Sequence, residues 1–303
     1  MNHITDINEP FLTAESALAL ATKSHTQGAF TISTRKLPIS KAQAIDSLTE
    51  RIGIPMPEMI FGDNLVRVVH DPSSWSIEFN TPDALDAVDK TDRNMLKVAY
   101  ARDWESTRES QTQGIKEVVK PYDWSYSTDY AGTVSTAAAA AAKCDEKGGE
   151  GKQQPAMTMT ATTAQIPIEL LKRRDPILFF DEVVLYESEL DDNGVSIYSA
   201  KVRVHEKRML LLCRLFMRLD RVLFRIRDTR VYVDFETQVV LREYTAKEAA
   251  FDQVRRKLLM MGSTPDEVTA SMRDPNQLDP LLDTLEQRTE EVCLATTAAA
   301  AAA

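Results

Sequence analysis

Residues 177–244 constrain the fold of this chain most strongly, because segments of alternating apolar and polar side chains follow one another through them. Tyr198, Ala200, Val202 and Val204 are spaced by two residues, which is the period of a half-buried strand. Strands joined by short turns pair antiparallel, because a parallel return needs a crossover of about a dozen residues or more. The sequence therefore predicts an antiparallel meander at about 177–244.

The segment from residue 209 to 219 fits two patterns. Its odd-numbered positions are all apolar, which indicates a strand. A helical stripe is also present, formed by Leu211, Leu212, Leu215, Phe216 and Leu219. We interpret the segment as a strand because the segments on both sides of it alternate.

Helices and further strands surround the meander. Short strands are expected at 29–37, 65–69, 75–79 and 95–100. Helices are expected to begin near Ser40, Thr81, Pro167, Thr245 and Thr264, and the one from Thr245 is expected to end at Gly262. The predicted fold class is α+β, with antiparallel sheets packed against several short helices.

Composition shifts along the chain suggest its organisation. Residues 1–27 are polar and predict a flexible N-terminal extension, followed by a single α+β domain at 28–262. An alanine run and a glycine-rich stretch at about 135–151 indicate a low-complexity insert on the surface. A short helix and a disordered tail are expected at 263–303.

Charge and cysteine content exclude several classes of partner. The net charge is −10, which argues against nucleic acid or an anionic membrane as the main partner, because both select basic surfaces. The three cysteines are far apart and form no CxxC motif, which is typical of a reducing compartment. The longest N-terminal apolar run, residues 17–21, is too short to span a bilayer. We therefore expect a cytoplasmic protein.

No catalytic, metal or cofactor site stands out from the residues alone. Gly62, Asp63 and Asn64, with His70 nearby, are the only support for a metal-dependent phosphoesterase, and the four histidines of the chain supply few ligands for two metals. The arginines of the meander allow two interpretations. They either pair with acidic neighbours on a solvated sheet face or form a patch that binds anions. These arginines are Arg225, Arg227, Arg230 and Arg242.

Several blocks resemble, in order, the TIPRL-type family of TOR-signalling pathway regulators, and together they cover roughly residues 28–250. The most specific is KPYDWSYSTDY at 120–130, which is long and unusual in composition. The other blocks are PEMIFGDN (57–64), IEFN (77–80), DAL (83–85), MLKV (95–98), DTR (228–230) and LREYT (241–245).

This resemblance implies a non-enzymatic regulator without a cofactor. Members of the family bind the catalytic subunits of type 2A protein phosphatases, including the C-terminal tail of the subunit, and act in TOR signalling. The positions that the family uses for phosphatase binding match Asp83, Ile166, Ile226, Asp228 and Tyr244. The alternative is a scaffold or adaptor that does not contact a phosphatase. A metal-dependent phosphoesterase is a further alternative with less support.

The implied residues suggest one hypothesis for the site. Asp83, Asp228 and Tyr244 would edge a single groove with Ile226 as its apolar floor. The neighbouring arginines would favour the carboxylate of a bound peptide. In such a groove, burial of apolar side chains supplies most of the affinity, and charged groups fix the register of the peptide.

Overall fold

The computed structural model of the protein describes residues 14–90, 121–136 and 157–295. These residues form two antiparallel sheets and several short helices, so the predicted α+β class is confirmed. In the described ranges, no helix is both long enough and apolar enough to cross a membrane.

Thirteen strands are present in these ranges. They are β1 (Thr22–Gln27), β2 (Phe30–Arg35), β3 (Met59–Ile60), β4 (Leu65–His70), β5 (Trp75–Asn80), β6 (Thr133–Ser135), β7 (Thr160–Ala161), β8 (Phe179–Ser188), β9 (Gly194–Val204), β10 (Arg208–Leu219), β11 (Leu223–Asp234), β12 (Val239–Ala250) and β13 (Asp283–Cys293). The α-helices are α1 (Ala14–Leu20), α2 (Ala42–Ile52), α3 (Thr81–Asp86), α4 (Ile168–Leu171), α5 (Phe251–Met260), α6 (Pro265–Ser271) and α7 (Pro275–Leu278).

The strands divide into a five-stranded sheet, in the order β1-β2-β4-β5-β6, and an eight-stranded sheet, in the order β3-β8-β9-β10-β11-β12-β13-β7. From β8 to β12 the larger sheet is a simple antiparallel meander. The predicted meander is therefore present, and it extends to Ala250.

The eight-stranded sheet has two different faces. The odd-numbered residues of β10, from Met209 to Leu219, are all buried in a core that also contains Ile32, Val66 and Ile77 of the smaller sheet. We call this the inner face. The opposite, outer face is partly covered by α5 to α7, which pack on Phe216, Phe224 and Ile226. The strand interpretation of residues 209–219 is confirmed, because only a strand buries every second residue in this way.

The helix predicted from Thr245 begins later than expected. Residues 245–250 continue β12 and pair with β11 as far as Ala250, and α5 starts at Phe251. Thr245 therefore does not cap a helix. Its hydroxyl is buried and makes no hydrogen bond to the residues that the structure describes. Continuous backbone pairing with β11 and β13 outweighs the local capping pattern.

Two terminal segments differ from expectation. Thr22–Gln27, predicted to lie in a flexible extension, is β1 and pairs with β2 along its length. Asp283–Cys293, predicted to lie in a tail, is β13 and pairs with β12. Both strands are mostly polar, so apolar periodicity did not reveal them, and hydrogen bonds between main chains hold them in place. The strand expected at 95–100 and most of the insert at 135–151 lie outside the described residues.

The other helix starts agree with the sequence patterns to different degrees. Thr264 and Glu267 form the expected capping box at the start of α6. Thr81 lies one residue inside α3, whose N-cap is Asn80. Ser40 does not cap α2, and its hydroxyl oxygen accepts a hydrogen bond from the backbone N–H of Gly62 at 2.8 Å.

Candidate functional site

Residues 121–136, here called the strap, connect the two sheets. The strap includes most of the KPYDWSYSTDY block, and its residues 122–128 are buried. The Tyr186 hydroxyl, from the larger sheet, donates to the carbonyl oxygen of Tyr126 at 2.6 Å. Tyr130 of the strap donates its hydroxyl to the carbonyl oxygen of Glu78 in the smaller sheet at 2.8 Å. The most specific block of the sequence therefore has a structural role.

Two of the arginines predicted for an anion site hold the strap. Arg225 donates from Nη1 to the Ser127 hydroxyl at 2.7 Å and from Nε to Glu248 at 2.8 Å. Arg242 donates to the carbonyl oxygen of Ala131 at 3.1 Å and also pairs with an acidic residue of β13. Both arginines pair with acids of the chain itself, as the first interpretation expects, but Arg225 is buried rather than on a solvated sheet face.

The buried carboxyl group of Asp123 lies close to Arg225. Asp123 of the strap accepts hydrogen bonds from the backbone N–H and the hydroxyl of Ser125. Burial raises the pKa of Asp123, and the bonds from Ser125 and the charge of Arg225 oppose that rise. The network thus fixes the first half of the strap against the inner face of the sheet.

Tyr244 holds the strap at Asp129, an exposed residue near its middle. Tyr244 is 1% exposed, and its hydroxyl donates to Oδ1 of Asp129 at 2.6 Å. Arg227 Nε lies 3.5 Å from the same oxygen, and the Arg288 guanidinium lies 4.0 Å above the Tyr244 ring. Burial, and then the bond to Asp129, raises the pKa of Tyr244, so the hydroxyl stays protonated and donates. Asp129, rather than Tyr244, is the group of this pair that is exposed.

Asp83 also contacts the strap, at its far end. Its carboxylate accepts a hydrogen bond from the Thr133 hydroxyl, and its backbone N–H donates to Asn80 Oδ1 at 2.9 Å. A cleft of about 490 Å³ borders it, and Asp63 and Asp86 also line that cleft. Asp83 therefore lies in the first turn of α3 and also holds the strap through Thr133.

Asp228 lies on the outer face and is fully buried. Both of its oxygens accept hydrogen bonds from Arg214, from Nε and Nη2, at 2.7 Å each, and Oδ2 also accepts from Arg230 at 2.8 Å. Burial would lower the pKa of Arg214, but its hydrogen bonds to Asp228 and the negative charges of Asp228, Asp279 and Asp274 together raise that pKa. Arg214 is therefore a fixed cation at the surface of the sheet, with Asp228 beneath it.

The two predicted isoleucines occupy separate apolar clusters. Ile226 is fully buried beneath α5 to α7, next to Phe216. Ile166 packs with Tyr232 and Leu241 in a small cluster. Neither side chain is open to a partner in this structure.

The five family-implied residues do not line one groove. In the register of β11 and β12, Asp228 pairs with Thr245 and Thr229 pairs with Tyr244. Paired residues share a face and successive residues alternate, so Asp228 and Tyr244 lie on opposite faces of the sheet. Asp83 lies with Tyr244 on the side of the strap. The prediction of a single groove edged by Asp83, Asp228 and Tyr244 is therefore wrong.

A groove of about 420 Å³ does lie on the outer face, between the strands and the segment that follows α6. We call it the outer groove. Among the described residues that line it, four are basic and none is acidic. They are Val195, Ile197, Ser199, Lys201, Leu212, Arg214, Phe216, Arg218, Arg273, Pro275 and Asn276. An apolar floor with cations at its edge suits an apolar peptide that carries a carboxylate.

Sequence reasoning missed the basic residues of this groove. Arg214 and Arg218 occupy even-numbered positions of β10, opposite the apolar stripe, and this alternation was a usable signal that they share the outer face. No comparable signal exists for Arg273, because it follows a short helix and reaches the groove only through tertiary packing.

The residues that suggested a phosphoesterase have internal partners. Asn64 accepts from the backbone N–H of Leu37 at 2.6 Å and donates to the carbonyl oxygen of Val184 at 2.7 Å. The two ring nitrogens of His70 lie 2.7 Å from Ser73 Oγ and 3.2 Å from Gln238 Oε1. These contacts join loops and sheets, and they explain why the side chains are buried.

Comparison with known proteins gives consistent matches. The profile of the TIP41-like family matches residues 59–255. The TIP41-like protein of Homo sapiens is 39% identical over 245 residues, which span 80% of this chain and 82% of that protein. The type 2A phosphatase activator TIP41 of Saccharomyces cerevisiae is 36% identical over 262 residues, which span 82% of this chain and 68% of that protein. The TIP41-like protein of Dictyostelium discoideum is 34% identical over 253 residues, 83% of this chain and 85% of its own length.

Proposed function

Because this chain belongs to the TIP41-like family, we propose that it is a non-enzymatic regulator that binds the catalytic subunit of type 2A serine/threonine protein phosphatases and acts in TOR signalling. Relatives from two yeasts bear the name type 2A phosphatase activator, which supports a phosphatase as the partner. The described cysteines, Cys213 and Cys293, are free thiols, in keeping with a cytoplasmic protein.

The outer groove is our candidate for the part of the surface that receives the C-terminal tail of the catalytic subunit. The observation that carries this assignment is its combination of an apolar floor, formed in part by Ile197 and Phe216, with basic residues and no acidic residue among the described ones that line it. Arg214 uses three of its five N–H donors on Asp228 and Asn276, so two remain for a carboxylate of the tail.

In this proposal three of the family-implied residues, Asp228, Ile226 and Tyr244, act as positioning residues. Asp228 fixes Arg214, and Ile226 supports Phe216 from within the same cluster. Tyr244 fixes Asp129, the exposed carboxylate of the strap, which we propose as a second contact with the phosphatase. Substitution of a positioning residue alters binding through its neighbour, and it also alters stability.

The test is capture of a purified type 2A catalytic subunit by this chain. Ile197→Glu places a charge on the half-buried floor of the outer groove, and we expect capture to weaken about tenfold or more. Val69→Glu is the matched control, because Val69 is a half-buried aliphatic residue on a strand of the other sheet. Both variants are compared with the parent by thermal melting.

Two further measurements separate the alternatives. A catalytic subunit that lacks its C-terminal tail should bind the parent weakly and should lose most of the difference between the parent and Ile197→Glu. Equal capture of Ile197→Glu and the parent would show that the groove is not the tail site. If the parent captures no catalytic subunit at all, the chain is a scaffold or adaptor of another kind.

The TOR assignment needs a cellular readout. In cells that depend on this chain, we expect Ile197→Glu to change the phosphorylation of TOR-pathway substrates in the same direction as deletion, and Val69→Glu to leave it at the parental level. A normal phosphorylation response in the deletion strain would remove TOR signalling from the proposal.

A further inference from the structure

A second groove lies where α5 and α6 meet the hairpin between β10 and β11. Its volume is about 670 Å³, and we call it the helix groove. The apolar part of its lining includes Phe251, Val268 and Met272, of which Val268 and Met272 are buried members of the cluster beneath the helices. Arg218 and Arg273 line both this groove and the outer groove, so the two adjoin.

The charge around the helix groove is opposite to that of the whole chain. Four arginines line it, against two aspartates, whereas the chain has a net charge of −10. Arg255 and Arg273 are exposed, and their guanidinium groups form no hydrogen bond or ion pair with any part of the chain that the structure describes. Concave apolar walls with unpaired cations concentrate positive potential where an anionic partner can reach it.

The end of α5 contributes an exposed apolar side chain to the groove. Leu259 lines the groove and is 43% exposed, and the next two residues, Met260 and Met261, are 88% and 71% exposed. Met260 and Met261 do not line the groove, so Leu259 is the exposed large apolar residue that α5 contributes to its lining. A partner that fits here needs negative charge for the arginines and apolar side chains for the rim.

We propose that the helix groove binds an acidic segment of a partner protein, with carboxylates on Arg255 and Arg273 and a large apolar side chain against Leu259. This assignment does not depend on phosphatase binding at the outer groove, because Arg255 and Leu259 lie outside that groove. The acidic segment is chosen as the partner because its negative charges complement the arginines of the groove.

A fluorescein-labelled peptide of repeated Glu-Glu-Leu triplets is the probe, followed by fluorescence anisotropy with the full chain. We expect saturable binding that weakens with added salt. Arg255→Glu should weaken it about tenfold, and Leu259→Ser should weaken it by about threefold. Arg256→Glu is the matched control, because Arg256 is the next residue of the same exposed helix and does not line the groove.

Four results would overturn the proposal. Arg255→Glu could bind the peptide as tightly as the parent. Arg256→Glu could weaken binding as much as Arg255→Glu does, which would show that the loss follows the net charge of the protein and not this groove. A Gln-Gln-Leu peptide could bind as well as the acidic one, which would leave only apolar contact. Tighter binding of a phosphoserine peptide without carboxylates would assign the groove to phosphate instead. Capture of the phosphatase by Arg255→Glu should stay at the parental level, which separates this test from that of the outer groove.

Discussion

Arg214 and Asp228 face each other across β10 and β11, joined by two parallel N–H···O bonds of 2.7 Å. Asp228 is fully buried, and Arg230 donates to it as well. The Asp228 carboxylate pairs with two arginines of the outer face, and one of them, Arg214, lines the outer groove. The pair therefore links the stability of the sheet to the shape of the candidate site.

Asp228→Ala should destabilise the protein strongly. It leaves Arg214 and Arg230 without their buried counter-ion, and breaking one partner of a buried pair costs about 3–5 kcal/mol. Denaturation with urea measures the loss in free energy of unfolding. Asp46→Ala, at an exposed position of α2, is the control and should change that energy by about 0.5 kcal/mol or less. A loss below about 1 kcal/mol for Asp228→Ala would contradict the role given to the pair.

Gly132→Ala should be more harmful than Gly262→Ala. Both glycines have positive φ, 90° and 92°, which costs an L-residue about 1–2 kcal/mol. At Gly132 an added Cβ would lie 2.8 Å from Phe79 Cζ, whereas nothing lies within 4 Å at Gly262. Overpacking adds about 1–3 kcal/mol at Gly132 alone. Equal melting temperatures for the two variants would show that the strap can move away from the smaller sheet.

Tyr244→Phe tests the bond that fixes Asp129. Removal of the hydroxyl should lower the free energy of unfolding by about 0.5–1.5 kcal/mol, the usual contribution of one hydrogen bond. Tyr232→Phe is the control, because Tyr232 is also buried on the same sheet but its hydroxyl makes no hydrogen bond to the described residues. The prediction fails if the two variants unfold at the same urea concentration.

Asp181 should make stability depend on pH. It lies on β8 and accepts from Thr34 of β2 at 2.7 Å and from Lys36, so it joins the two sheets. Burial raises its pKa, but the hydrogen bonds from Lys36, Thr34 and the backbone N–H of Glu182, with the charge of Lys36, together leave the pKa below the ordinary value of 3.8. A lowered folded-state pKa gives stability that is present above the ordinary pKa and is lost as the pH falls through the folded-state value.

The variant Asp181→Asn isolates that contribution. At pH 7 the parent should be more stable than the variant, and the difference should shrink as the pH falls below about 4. Urea denaturation at several pH values gives the two curves. A difference that stays constant from pH 7 to pH 3 would mean that the carboxylate charge contributes nothing.

The sequence predicted the meander well because period-two burial acts on each strand separately. Every odd-numbered position from 209 to 219 is apolar, and although Leu212 and Phe216 also fit a helical stripe, the alternating segments on both sides favoured a strand. The positions of Asp228 and Tyr244 depended instead on the register between two strands, which no single-strand pattern contains. Alternation combined with that register places the two residues on opposite faces, and the single groove fails for this reason.

The strap explains a second limit of sequence reasoning. The block at 120–130 was identified by its composition, but its aromatic residues have no regular period, so its course between the sheets could not be derived. The arginines had two possible interpretations. Arg225 and Arg242 proved to bind the strap, and their partners, such as Ser127 and Ala131, are more than 90 residues away in sequence.

β13 also determines when this protein can finish folding during its synthesis. Strand β12 ends at Ala250, yet its second neighbour is not complete until Cys293 has been made. A nascent chain released only as far as α6 therefore has one long row of unsatisfied amide and carbonyl groups, which attracts other unpaired strands. Ribosome-bound chains in which residues up to about 271 have left the ribosome should be cleaved readily by protease, and those in which residue 293 has also left it should resist cleavage; equal resistance of the two would show that the sheet closes without its last strand.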